Sequence, residues 1–155
     1  NRLMNKPIYF FSKTNQWYEL SNFYLFGFMD EEGLYWPTVE HYFQAMKFSG
    51  EKYRGYREKI RLAQTPGKAK KFGQTRQIPL RRDWEIVKEE VMLYALRKKF
   101  SHPKMQTILL ATENRHLYEN SPYDYYWGIG KQHTGKNRLG ELLMQVRKEL
   151  ARDEC

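Results

Sequence analysis

A chain of 155 residues, 41% apolar and 16% aromatic, is long enough for one domain around one core and calls for no second. Lys and Arg number 27 against 18 Asp and Glu, a formal charge of +9, so the expected partner is anionic: nucleic acid or a phosphorylated small molecule. The one cysteine, Cys155, excludes an internal disulfide, the four scattered histidines argue against a structural zinc, and no apolar run approaches the roughly 18 residues of a membrane span. A cytoplasmic or nuclear protein with no membrane partner is expected.

Residues 1–7 are polar and read as a flexible end, 8–151 as the domain, and 152–155 as a tail. Residues 8–11 read as a short strand and 18–23 as a loop presenting Ser21 and Asn22. Residues 24–29 and 34–36 form an expected hairpin about the turn residues 30–33. Helices follow at 38–48 and 51–63, the second ending before the Pro66 and Gly67 punctuation, and then a short basic segment at 68–72. The periodicity over 84–100 predicts the longest helix, with Asp83 as its cap. A further helix at 104–111, a last short strand at 117–118 and a helix over 138–151 complete an α+β fold, mainly helical, whose strands are few and mostly early.

The stretch WPTVEHYFQAMKF, residues 36–48, carries the most information. Thr38 is placed to cap the helix, and Glu40 falls in its first turn, where the helix dipole favours a carboxylate. At about 100° per residue, Glu40, Gln44 and Lys47 share one polar stripe among Val39, Tyr42, Phe43 and Met46. Side chains lean toward a helix N-terminus, so Lys47 is expected to reach back toward Gln44 and Glu40, putting an acid and an amine in one pocket. The alternative is a Glu and Lys pair on a solvated face.

Near the other end, GKQHTGKN at 130–137 misses the phosphate-loop pattern only at Asn137, which stands where a magnesium-binding hydroxyl is required. A single helix follows it, too little to build a nucleotide-hydrolysing parallel sheet. Lys136, Asn137 and Arg138 still offer donors and charge to a phosphate at a helix start. In YDYYWG, Asp124 lies among rings, where a carboxylate is either desolvated or paired with a cation such as Lys47, and the alternative is an ordinary turn aspartate. Trp84 is a candidate platform for a base or simply core. The basic runs 68–71 and 80–82 are candidate nucleic-acid contacts or solvated faces.

Together, SNF (21–23), WPTVEHYFQAMKF (36–48), DWEIVKEEVMLYALRKKF (83–100), YWGIG (126–130) and GKNRLGELLMQVR (135–147) resemble the NADAR family, named for its association with NAD and ADP-ribose. The motifs occur in order across nearly the whole chain. The resemblance implies an N-glycosidase without a cofactor or metal, acting on ADP-ribose attached to guanine in DNA or RNA. The alternative it implies is a phosphorylated ribosylaminopyrimidine of riboflavin synthesis; whether the chain works beside a partner toxin is left open.

Both substrates join ribose C1 to an exocyclic amine, a linkage that opens to an imine, which a lysine attacks. The expected catalytic group is therefore Glu40 as proton shuttle, Lys47 as imine-forming amine or charge stabiliser, and Asp124 as orienting group or base. The rival is direct hydrolysis through an oxocarbenium-like transition state. Ser21, Asn22, Phe23, Gln44, Trp84, Trp127, Gly128, Asn137 and Arg138 are the expected ligand-binding set for ribose, diphosphate and base. A non-catalytic reader of ADP-ribose and a general RNA-binding domain are the readings outside enzymology.

Overall fold

The computed structural model describes residues 5–153; the expectations for residues 1–4 and for Cys155 fall outside them. In chain order the elements are β1 (Ile8–Phe10), β2 (Phe28–Met29), β3 (Tyr35–Trp36), α1 (Val39–Ala45), α2 (Arg54–Arg61), α3 (Pro66–Gly73), α4 (Trp84–Lys99), α5 (Pro103–Leu110), β4 (Leu117–Glu119) and α6 (Arg138–Asp153). Single 3-10 turns occupy Tyr18–Leu20, inside the expected loop, and Glu51–Tyr53, ahead of α2. The α+β class is as the periodicity predicts. No helix among the described residues is long and apolar enough to cross a membrane.

The chain divides into two compact units, one drawn from both ends, up to Tyr24 and from Phe100 on, and one formed by Leu25–Lys99. In the terminal unit β1 and β4 pair in parallel, Ile8 opposite Leu117 and Phe10 opposite Glu119. Helix α6 packs on β4, and α5 on α6. The approach is close because α6 carries Gly140 there: a Cβ at that position would lie 2.1 Å from the Leu117 carbonyl oxygen. Asn137, just before α6, fastens the same strand. Its Oδ1 accepts the Glu119 N–H at 2.9 Å and its Nδ2 donates to the Leu117 carbonyl at 2.9 Å.

In the other unit β2 and β3 form the expected hairpin, Phe28 opposite Trp36. Asp30 shapes its turn: Oδ1 accepts the N–H groups of Glu32 and Leu34, and Oδ2 accepts the Trp36 indole N–H at 2.8 Å. Helix α1 lies against α2, α3 and α4 at once. That leaves it without a solvated face, and Val39, Phe43 and Ala45 are buried together with Glu40, His41 and Gln44.

One local expectation is corrected. The basic segment 68–72 is helical: Thr65 caps α3 by accepting the Lys68 N–H at 3.1 Å and Pro66 occupies its first turn, so the Pro-Gly pair opens a helix rather than closing one. Asp83 stands where the cap of α4 is expected, its carbonyl accepting the Val87 N–H at 3.0 Å, and its carboxylate also takes Arg81 in a two-pronged pair at 2.6 and 3.0 Å.

Candidate active site

Helix α1 begins with Thr38, whose Oγ1 accepts the His41 N–H at 3.1 Å and lies 2.8 Å from His41 Nδ1. On the far side of the ring, Nε2 lies 2.9 Å from the Ala63 carbonyl, which can only accept. Nε2 therefore carries the proton, and Nδ1 receives the Thr38 hydroxyl. Burial pushes the His41 pKa below its ordinary value, against the Ala63 carbonyl, which favours the charged ring. This histidine is a neutral fastening of the helix start, which in turn fixes where Glu40 points.

Glu40 and Gln44, one turn apart, are 7% and 4% exposed, which rules out the solvated-face alternative. Gln44 Nε2 donates to Glu40 Oε2 at 2.6 Å, and a carboxylate facing the amide fixes which end of it is nitrogen. Gln44 Oε1 is buried with no hydrogen-bond partner. It faces α3 so closely that a Cβ on Gly73 would sit 1.9 Å from it. A large residue at position 73 would occupy the space the amide needs.

Lys47 is not on the helix, contrary to the 38–48 span. Helix α1 ends at Ala45, and the chain tightens, with the Lys47 N–H on the Gln44 carbonyl at 3.3 Å and the Phe48 N–H on that of Ala45 at 3.2 Å. The carbonyl of Lys47, released from the helix ladder, accepts the Arg81 N–H at 2.9 Å. Arg81 is held in turn by Asp83. The Lys47 Nζ donates to the Gly73 carbonyl at 3.4 Å and lies 6.0 Å from the centre of the Phe43 ring. Burial lowers its pKa, the Glu40 carboxylate opposes that shift, and the Lys70 ammonium adds to it. The acid and the amine are thus within electrostatic reach, as the stripe predicts, although the amine is delivered by the turn after the helix.

Trp84 is 5% exposed, with its ring tilted against Phe43 at 5.1 Å. It packs behind α1 and presents no open face to a base, the core alternative of the sequence reading.

In the terminal unit, Ser21 and Asn22 are buried and Phe23 is half-buried, in a turn where Ser21 Oγ accepts the Phe23 N–H at 3.1 Å. Asp124 Oδ1 accepts the N–H groups of Tyr126 and Trp127 at 2.9 and 2.8 Å, the local turn alternative. Gly128 is buried at a close crossing: a Cβ there would stand 2.9 Å from the Glu119 carbonyl oxygen. At the start of α6 the backbone donors are engaged within the fold. Its first two N–H groups, from Arg138 and Leu139, bond the carbonyls of Tyr126 and Trp127 at 3.0 and 3.1 Å, and the Asn137 amide is committed to β4. These backbone donors hold the loop to the helix; the Lys136 and Arg138 side chains, the charged part of the phosphate expectation, are not among them.

The structure therefore brings Glu40, Gln44 and Lys47 together, and it joins Asp124 to Trp127 and Gly128 to Asn137 in a bonded loop. Gly73, Arg81 and Lys70 belong to the surroundings of the amine; Gly73 escaped the sequence reading, and Lys70 and Arg81 entered it only as members of basic runs. Their signal is weak: a glycine ending a Lys-rich helix is an ordinary helix stop, and only packing shows that its carbonyl serves Lys47.

The NADAR domain family matches residues 9–151. N-glycosidase YbiA of Escherichia coli is 47% identical over 145 residues, covering 93% of this chain and 88% of that protein. An N-glycosidase of Nostoc punctiforme is 42% identical, covering 92% of each. Riboflavin biosynthesis protein PYRR of Zea mays, chloroplastic, is 46% identical over 131 residues, 78% of this chain and 21% of that protein. The NMR structure of Escherichia coli YbiA superposes with a TM-score of 0.86 at 45% identity, covering 97% of this chain and 88% of that one. With the fold, the motifs and these relatives in agreement, the chain belongs to the NADAR domain family and to its N-glycosidases.

Proposed function

We propose that the bond cleaved joins ribose C1 to the exocyclic amine of guanine carrying ADP-ribose in nucleic acid, with Lys47 as nucleophile and Glu40 as proton carrier. One observation carries this reading: a half-buried amine with a lowered pKa stands within the field of a buried carboxylate that an adjacent amide holds in place. Burial shifts the balance toward the neutral amine, the form that attacks an imine.

The step sequence balances without a redox partner. As the ribose ring opens, Glu40 gives a proton to the ring oxygen, which becomes a hydroxyl, and C1 becomes a protonated imine of the guanine amine. Lys47 Nζ adds to C1, its proton passes to Glu40, and Glu40 returns it to the departing guanine nitrogen as the C1–N bond breaks. Water then adds to the lysine imine, with Glu40 taking its proton. Glu40 returns that proton to the Lys47 nitrogen, which leaves as the amine while the C1 hydroxyl gives its proton back to Glu40, and the ring hydroxyl closes on the C1 carbonyl to leave a hydroxyl on C1. One water is consumed, ADP-ribose is released, and the guanine stays in the strand with its amine restored. The +9 charge supports nucleic acid as the carrier of the modified base, since a small phosphorylated substrate needs only a local positive pocket.

A second substrate is favoured by the riboflavin-biosynthesis names of relatives such as that of Zea mays. A phosphorylated ribosylaminopyrimidine presents the same C1–amine bond to the same two groups. Incubation with a guanine-ADP-ribosylated oligonucleotide and, separately, with that pyrimidine distinguishes them. Release of ADP-ribose in the first tube is the expected result, and cleavage confined to the second overturns the nucleic-acid substrate.

A further inference from the structure

Residues 47–82 hold twelve Lys and Arg against two Glu, +10 in a chain whose total is +9. The remainder of the chain is therefore slightly acidic, and all the net charge lies in the stretch running from Lys47 through α2 and α3 to Arg82. Both acids of the stretch are already paired, Glu51 with Arg54 and Glu58 with Arg61. Some cations serve the fold: Arg57 donates to the Phe48 and Gly50 carbonyls, and Arg81 pairs with Asp83. Lys68, Lys71, Arg76 and Arg82 are exposed and have no carboxylate partner among the described residues.

Aromatic side chains connect these charges. Helices α2 and α3 lie side by side, with the Tyr56 hydroxyl on the Phe72 carbonyl at 2.6 Å and Lys59 over the Phe72 ring at 4.6 Å. Before α2, Lys52 lies over the Tyr53 ring at 5.5 Å. Tyr53 also lines a groove of about 570 Å³ together with Ser49, Pro79, Leu80, Arg81, Arg82 and Asp83, whose carboxylate is neutralised by Arg81. Leu80 is 49% exposed at its lip. A groove with one ring, apolar walls and Arg82, unpaired among the described residues, at its edge, bordered in the chain by the lysine-bearing α2 and α3, suits a strand with a charged backbone and flat bases. The reactive amine adjoins this surface: Arg81 holds the Lys47 carbonyl, and Gly73 of α3 holds its Nζ.

We propose that α3 and the 76–82 loop, through Lys68, Lys71, Arg76 and Arg82, form the surface that holds the phosphates of a single-stranded nucleic acid flanking the base presented to Lys47. The proposal rests on the nucleic-acid substrate proposed above, but its test does not depend on that substrate. Lys70 is left out of it because it acts on the amine itself.

The test is binding of an unmodified single-stranded oligonucleotide to the full chain and to a variant with Lys68→Gln, Lys71→Gln, Arg76→Gln and Arg82→Gln, at several salt concentrations. Circular dichroism and melting establish that the variant is folded. A single-strand contact contributes about 0.7 to the slope of log K against log salt, so the variant is expected to lose about 3 from that slope and at least about tenfold in affinity near 0.1 M salt. Cleavage of free ADP-ribosylated guanosine is expected to be unchanged. An unaltered slope and affinity overturn the proposal, as does wild-type preference for anionic phosphatidylserine vesicles over the strand. Variant-sensitive strand binding without release of ADP-ribose from a modified strand supports the surface and removes the substrate. Release with variant-insensitive binding does the reverse.

Discussion

The Gln44 side-chain amide donates to the Glu40 carboxylate at 2.6 Å from one turn further along the same buried helix. A carboxylate tethered by a neighbouring amide cannot swing away when it gives up or accepts a proton, and general acid–base catalysis depends on such positioning. Gln44→Leu keeps the volume and removes the donor, so kcat is expected to fall about tenfold to a hundredfold with the melting temperature nearly kept. Because Gln44 Oε1 has no partner to lose, the substitution leaves only Glu40 short of a bond. Unchanged kcat would separate the amide from the chemistry.

Gly73 is tested by a single methyl group. Gly73→Ala puts a Cβ 1.9 Å from Gln44 Oε1, too close to persist, so either α3 retreats or the amide rotates. Overpacking of this kind costs about 1–3 kcal/mol. The retreat also draws the Gly73 carbonyl away from Lys47 Nζ, and activity is expected to fall by more than the stability loss explains. Denaturant unfolding alongside single-turnover kinetics checks this, and a variant with wild-type rate and stability would contradict the packing described.

His41 gives the fold a pH dependence with a defined sign. Its pKa is lowered in the folded chain, chiefly by burial. Below the ordinary value of about 6.5 the unfolded chain binds a proton that the folded chain refuses. Its contribution is complete above that pH and is lost as pH falls toward the folded pKa, with a limiting slope of about 1.4 kcal/mol per pH unit for one proton. Unfolding free energies measured between pH 7.5 and 5 should decline, and His41→Gln should flatten the decline. An equally steep decline in the variant would assign the dependence to other groups.

Much of the architecture was legible because its signals are local. The Thr38 cap, the Asp30 turn and the apolar periodicity of α4 and α6 each need only a few residues to be read. Where the reading went astray, a long-range contact decided the outcome. Helix α1 ends three residues early because the Lys47 carbonyl is taken by Arg81, 34 positions later in the chain. Asn137 and the first amides of α6 look like a phosphate cradle in sequence, and they are used up by β4 and the 126–127 loop, which no spacing rule reveals. The Glu40, Gln44 and Lys47 association survived the early helix end because a lysine stem is long enough to reach back from a turn as well as from a helix.

The most direct test is chemical capture of the lysine imine. Borohydride added during turnover of the glycosylated substrate should leave a reduced sugar adduct that peptide mass analysis places on Lys47, with none on Lys47→Arg and little on Glu40→Gln. Continued turnover with no adduct on Lys47, or an adduct on another lysine, would contradict the account.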